Sequence, residues 1–234
     1  MKWTEAGGVD RQVVRDLRKL TTSGEGLKLE FKRKASYPDK IVCELIAFAN
    51  TKGGVLLIGV ADDGSIPGVK FPEEEIFCLE EALEKHCRPR LTITHQTIPV
   101  AHQRYVVKVD VAEGKRKPYS FREADGRKIV YVRYEDKSVQ ASREMIEIVR
   151  RHRPTKSIKL RYGDHEALLM KYLDKHPFIT MEHYRALTGM NRFKASRSLV
   201  ILVLANILQI IPTEKGDRYT LHYSFHTPAL VKPL

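Results

Sequence analysis

Arg192, Lys194 and Arg197 fall in the first two turns of a predicted helix, with Ser196 among them and an apolar run, Leu199 to Leu208, behind them. Guanidinium and ammonium groups at such a place can neutralise phosphates or reach base edges, while the later turns pack inward. Lys215 and Arg218 lie on a predicted hairpin directly after this helix and would extend the same surface. Further cations stand at Lys28, Lys32 and Lys34, at Lys52, in the loop Lys115-Arg116-Lys117, and at Arg133. The formal charge of +12 divides evenly: residues 1–153 carry 29 basic against 23 acidic side chains, and residues 154–234 carry 12 against 6. An excess of this kind favours a polyanionic partner.

Other chemistries lack their residues. Thr51-Lys52-Gly53-Gly54 has neither the spacing nor the terminal hydroxyl of a phosphate-cradling G-x-x-x-x-G-K-[ST] loop, so an ATP-binding reading has little support. Cys78, His86 and Cys87 on one predicted helix supply neither paired spacing nor a fourth ligand for zinc. No serine or cysteine nucleophile signature is present, and Cys43 on an apolar helix reads as a small core residue. With three cysteines and no C-x-x-C pair, no disulfide is expected. The N-terminus has no apolar signal region, and Leu199 to Leu208 is far short of the ~20 residues of a membrane span. The expectation is a soluble, cytoplasmic protein with no membrane partner.

The elements that must position these groups follow from periodicity. Val13, Val14, Leu17 and Leu20 mark a short amphipathic lead-in helix. Leu27, Leu29 and Phe31 alternate with Lys28, Glu30 and Lys32, the pattern of a half-exposed strand whose polar face sets a carboxylate between two lysines. Ile41 to Ala49 recurs at helical spacing between Pro38 and Gly53, and Val55 to Val60 reads as a strand covered on both faces. Asn50-Thr51-Lys52 therefore stands at one edge of this rigid pair and Asp62-Asp63 at the other. Pro72 to Cys87 predicts a helix whose Glu73-Glu74-Glu75 run suits the helix dipole. Leu91 to Val100 and Arg104 to Val111 predict a hairpin, and Ile129 to Tyr134 a strand. Arg143 to Arg153 predicts a closing helix, followed by a basic linker, Pro154 to Arg161.

Beyond that linker the order is helix from Asp164, helix from Thr180, a tight turn at Thr188-Gly189-Met190, a helix capped by Asn191, and a hairpin from Leu208 to Tyr223. That is the order of a winged helix-turn-helix domain.

Leu29-Glu30-Phe31-Lys32, the FANTKGG run from Phe48 to Gly54, the IGVADDG run ending at Gly64, and Tyr131-Val132-Arg133 occur in an order that resembles the Schlafen AlbA-type domain, over about residues 22 to 143. The resemblance implies an α/β (α+β) nucleic-acid-binding domain with a mixed sheet, often followed in bacterial members by a winged helix. Some animal members cleave structured RNA. By that resemblance Glu25 and Glu30 match the two glutamates of E-x-x-x-x-E-F-K, and Asp62 matches a third carboxylate. Such a trio would hold Mg²⁺ or Mn²⁺ beside a scissile phosphate.

The expected organisation is a Schlafen AlbA-like domain over residues 1–153 and a winged helix over 162–225. The favoured function is nucleic-acid binding by a DNA-binding transcriptional regulator with no cofactor, RNA being the second choice of ligand. The alternatives are an endoribonuclease using Glu25, Glu30 and Asp62 with Mg or Mn, and a protein-interaction module. A homodimer is compatible with the helix-turn-helix order, as is burial of the apolar third helix within one chain.

Overall fold

The computed structural model describes residues 11–151, 162–213 and 216–222. The chain forms two compact units, Met1–Gln140 and Ala141–Leu234.

In the first unit, α1 (Arg11–Thr22) precedes β1 (Leu29–Lys32), α2 (Pro38–Asn50), β2 (Gly54–Ile58), α3 (Pro72–His86), β3 (Cys87–Arg88), β4 (Thr94–Ala101) and β5 (Arg104–Val111). The short strands β6 (Ser120–Arg122), β7 (Lys128–Ile129), β8 (Tyr131–Tyr134) and β9 (Lys137–Gln140) complete it. The main sheet is mixed and ordered β1-β2-β5-β4. β1 and β2 run parallel, because α2 carries the chain back across the sheet between them, and β2, β5 and β4 are antiparallel neighbours.

Alternation along the strands divides the core. Leu56 and Ile58 of β2 and Val107, Val109 and Val111 of β5 pack under α2 and α3, whereas Leu57, Val106, Leu29 and Phe31 pack on the other face with Leu17 of α1. Coverage on both faces is why the central strand is almost wholly apolar. The Gly53-Gly54 pair after α2 is dictated by space. Gly53 has φ +68°, and a Cβ there would stand 2.6 Å from the Val111 carbonyl oxygen. A Cβ on Gly54 would collide with the Phe48 ring.

Two local expectations change here. The β1 polar face is not half-exposed, since Glu30 is buried. Glu75 does more than favour the start of α3: its Oε2 accepts the Ala35 N–H at 2.6 Å, fixing the β1–α2 connection.

The second unit contains α4 (Arg143–Arg151), α5 (Asp164–Leu173), β10 (Ile179–Thr180), α6 (Met181–Thr188), α7 (Arg192–Leu204), β11 (Leu208–Ile211) and β12 (Arg218–Leu221). Its small antiparallel sheet is ordered β10-β12-β11. The Thr180 hydroxyl oxygen accepts the His183 N–H to cap α6, and the Asn191 side-chain carbonyl oxygen accepts the Lys194 N–H at 2.9 Å to cap α7. Gly189, with φ +69°, ends α6 in the left-handed conformation and allows the tight turn into α7. Leu169, Leu173, Ile179, Tyr184, Ala195, Leu199, Leu208 and Tyr219 are buried in this unit.

The boundary differs from the expected one at residue 153. Helix α4 packs against α7, and Glu144 and Ser142 at its start meet Arg192 and Asp217, so it belongs with the second unit. The linker Pro154 to Arg161 lies outside the described residues. No helix among the described residues is long and apolar enough to cross a membrane. The three cysteines are free thiols.

Candidate functional site

The chemistry-bearing residues of the first unit converge beneath α2. Because side chains alternate along β1, Leu29 and Phe31 enter the core against α1 while Glu30 and Lys32 point to the α2 side. Arg133 of β8 arrives from the opposite direction. Its Nη2 donates to Glu30 Oε2 at 2.5 Å, to the Gly26 carbonyl at 3.0 Å and to the Leu29 carbonyl at 3.3 Å. Its Nε also donates to Gly26 O at 3.1 Å, Nη1 donates to Ser138 Oγ at 3.2 Å, and the guanidinium lies over the Phe48 ring. The Arg133 side chain is 1% exposed.

Lys32 closes the other side. Its ammonium donates to Glu30 Oε1 and to the Phe31 carbonyl, and stands 3.4 Å from Glu44 Oε1 of α2. Burial works against the Lys32 charge, but the bond to Glu30 and the fields of Glu44, Glu30 and Glu25 outweigh it and raise its pKa. Burial pushes the Glu44 carboxyl up to about 7, and the Glu30 charge adds to the rise against the opposing pull of Lys32. Glu44 Oε2 is enclosed and has no hydrogen-bond partner. Glu25 accepts the Phe31 N–H at 2.7 Å, yet burial still lifts its pKa above the ordinary range, with the Glu30 charge adding to the lift.

The expected metal trio is not assembled. Glu25 and Glu30 are neighbours, but both oxygens of Glu30 are taken by Arg133 and Lys32, and Asp62 is exposed after β2. Among the described residues no three histidine, cysteine, aspartate or glutamate side chains are gathered so as to hold a metal ion.

Three of the expected phosphate contacts must likewise be corrected. Arg133 and Lys32 are consumed inside the cluster. Lys117, with a side chain only 10% exposed, donates to the Thr51 carbonyl at 2.8 Å and to Glu113 Oε1 at 2.7 Å. Lys28, Lys34, Lys52, Lys115 and Arg116 are exposed.

Sequence reasoning misses Glu44, although a signal is there. It follows Ile41 by three residues and precedes Phe48 by four, which places a carboxylate on the buried face of α2, where it needs a cation. Asn50 is more than an edge residue: it is buried, donates to the Tyr119 and Tyr131 carbonyls at 2.8 Å each and accepts the Tyr119 N–H at 2.7 Å. Thr51 Oγ1 accepts the Arg133 N–H at 2.9 Å.

The second unit presents its charges outward. On α7, Ala195, Leu199, Val200 and Leu202 are buried, and Arg192, Phe193, Lys194 and Arg197 are exposed. Arg192 stands 3.8 Å from Glu144 and keeps half of its side chain in solvent. Arg218 is exposed on β12, with its guanidinium 4.3 Å from the Phe178 ring centroid. Lys215 lies outside the described residues.

A mixed sheet with helices on both faces, tied across by a buried arginine–glutamate pair, defines an α/β domain that uses its characteristic polar residues for internal structure. Residues 25–142 match the Schlafen, AlbA_2 family. That match takes in half of the chain, and the chain belongs to this family.

Several solved structures are similar. One is the solution structure of the N-terminal domain of a protein from Nitrosomonas europaea described as a putative ATP-dependent DNA helicase RecG-related protein, at 23% identity and TM-score 0.42, covering 55% of this chain and 92% of that one. Another is the crystal structure of the DIP2311 protein from Corynebacterium diphtheriae, at 16% identity and TM-score 0.44, covering 90% of this chain and 38% of that one. Among curated proteins there is no match.

Proposed function

We propose that this protein binds duplex DNA as a transcriptional regulator, with the second unit acting as a winged helix whose α7 enters the major groove. The observation that carries the reading is that Arg192, Lys194 and Arg197 are exposed on the first turns of α7, while its later turns, with Leu199, Val200 and Leu202, are buried. Cations fixed on the first turns of a well-packed helix suit phosphate and base-edge contact. The net charge of +12 supports the same partner. DNA is preferred to RNA because the B-form major groove admits a helix, while that of an A-form duplex is too deep and narrow. In the first unit the exposed Lys28, Lys34, Lys52, Lys115 and Arg116 remain as backbone contacts, with Arg133, Lys32 and Lys117 withdrawn.

The test is a salt titration of the full chain against a duplex DNA and a hairpin RNA, read by fluorescence anisotropy. Displacing counterion from three or more phosphates gives a log-affinity against log-salt slope steeper than about −2.5, with DNA bound more tightly than RNA. A flat salt response, or no affinity at low salt, defeats the reading.

A further inference from the structure

Phe193 is the most exposed large hydrophobic side chain among the described residues, at 76%. A single exposed apolar residue is ordinary on a protein surface. This one is placed unusually: it lies between Arg192 and Lys194 and one turn before Arg197, all four exposed. The i and i+4 spacing puts Phe193 and Arg197 on one side of α7, away from buried Ala195 and Leu199. The aromatic and cation–π contacts found among the described residues all involve other side chains.

On the proposed function, the cations on either side of the ring hold it against a polyanion. In an intact duplex the base faces are stacked out of reach, so an aromatic ring in the major groove can meet only the base edges. The one apolar group on those edges is the thymine C5-methyl. We propose that Phe193 is a specificity-determining residue that packs on a thymine methyl group and selects an A·T pair at its position in the site. Arg192, Lys194 and Arg197 supply affinity that does not depend on sequence, and the ring supplies discrimination.

The experiment uses the full chain and two short duplexes of alternating A·T sequence, about two helical turns long. The second has deoxyuridine in place of every thymidine, which removes the methyl and leaves the hydrogen-bonding edges intact. Anisotropy titrations at one salt concentration are made with the parent protein and with Phe193→Ala and Phe193→Leu, and the salt series is repeated for the parent and Phe193→Ala.

The parent protein should bind the thymidine duplex about fourfold more tightly, the worth of one buried methyl group. Phe193→Ala should bind both duplexes alike with an unchanged salt slope, and Phe193→Leu should keep part of the preference. Equal binding of the two duplexes by the parent protein overturns the assignment, as does a preference that survives in Phe193→Ala. In either case the DNA-binding reading itself stands, whereas absence of binding to both duplexes defeats the two together. Sedimentation of the same samples covers the remaining use of an exposed ring. A change of oligomeric state in Phe193→Ala, without any thymine preference in the parent, assigns the ring to a second copy of the chain and overturns the inference.

Discussion

The cations under α2 and those at the start of α7 have opposite fates. Under α2, Arg133 and Lys32 are closed in by Glu30, Glu44 and backbone carbonyls, and their charge is spent on neighbours. On the first turns of α7, Lys194 and Arg197 stand ahead of turns anchored by Leu199, Val200 and Leu202 and their charge faces solvent, while half-exposed Arg192 stands 3.8 Å from Glu144. Charge count alone would score the two regions alike. The lesson is that a cation is available to a ligand when its side chain stays in solvent, and burial beside an anion withdraws it.

The contrast is tested most sharply at Arg133. Removing it as Arg133→Ala leaves buried Glu30 with Lys32 alone and takes the guanidinium from the Gly26 and Leu29 carbonyls, and should cost about 3 kcal/mol of unfolding free energy in denaturant titrations. Replacing both partners, as Glu30→Leu with Arg133→Met, should recover part of that loss, because the buried carboxylate goes with its cation while Lys32 loses Glu30 and the two carbonyls stay without the guanidinium. A single variant that unfolds like the parent would show the pair to be idle.

On the other side, Lys194→Glu and Arg197→Glu together, with Arg192 kept because it stands 3.8 Å from buried Glu144, should weaken DNA binding on the order of tenfold at physiological salt, because each phosphate left unneutralised removes about 0.9 from the salt slope. The unfolding midpoint should shift little, since these side chains are exposed. A large loss of stability in this double variant would show that the charges of Lys194 and Arg197 are as internal as those under α2.

The smallest effect concerns Glu44. Its carboxyl is raised from 4.5 to about 7 in the folded chain, so between those pH values the native state holds more protons than the unfolded state. Stability from this group is fully present below about pH 4.5 and is lost as pH rises through about 7. Glu25, also raised, acts with the same sign. Glu44→Gln should therefore flatten this part of the stability profile and gain on the parent above pH 7, with little difference below pH 4.5. The opposite sign would mean that the Lys32 attraction outweighs burial.

Much of the fold is written in local pattern. The periodicities of α2, β2, α3 and the β4–β5 hairpin identify those elements within a few residues, because each depends on which of its own faces is apolar. The capping residues Thr180 and Asn191 and the turn at Gly189 are equally local. The exposed cations of α7 are legible from their place ahead of the apolar run that starts at Leu199, since the charged turns stay in solvent where the later turns pack inward.

Assignments that depend on distant partners are not legible. Glu30 and Arg133 are separated by most of a domain in the chain, and nothing in either neighbourhood states that β8 will deliver a guanidinium beneath α2. Lys117 on the Thr51 carbonyl, Asn50 on Tyr119 and Tyr131, and α4 packing on α7 instead of closing the first domain are of the same kind. By itself the sequence determined the family, the principal helices and strands and the sign of the surface. Only the tertiary structure decided which charges stay free for a ligand, because neutralisation is a matter of distances of a few ångströms between residues that the chain keeps far apart.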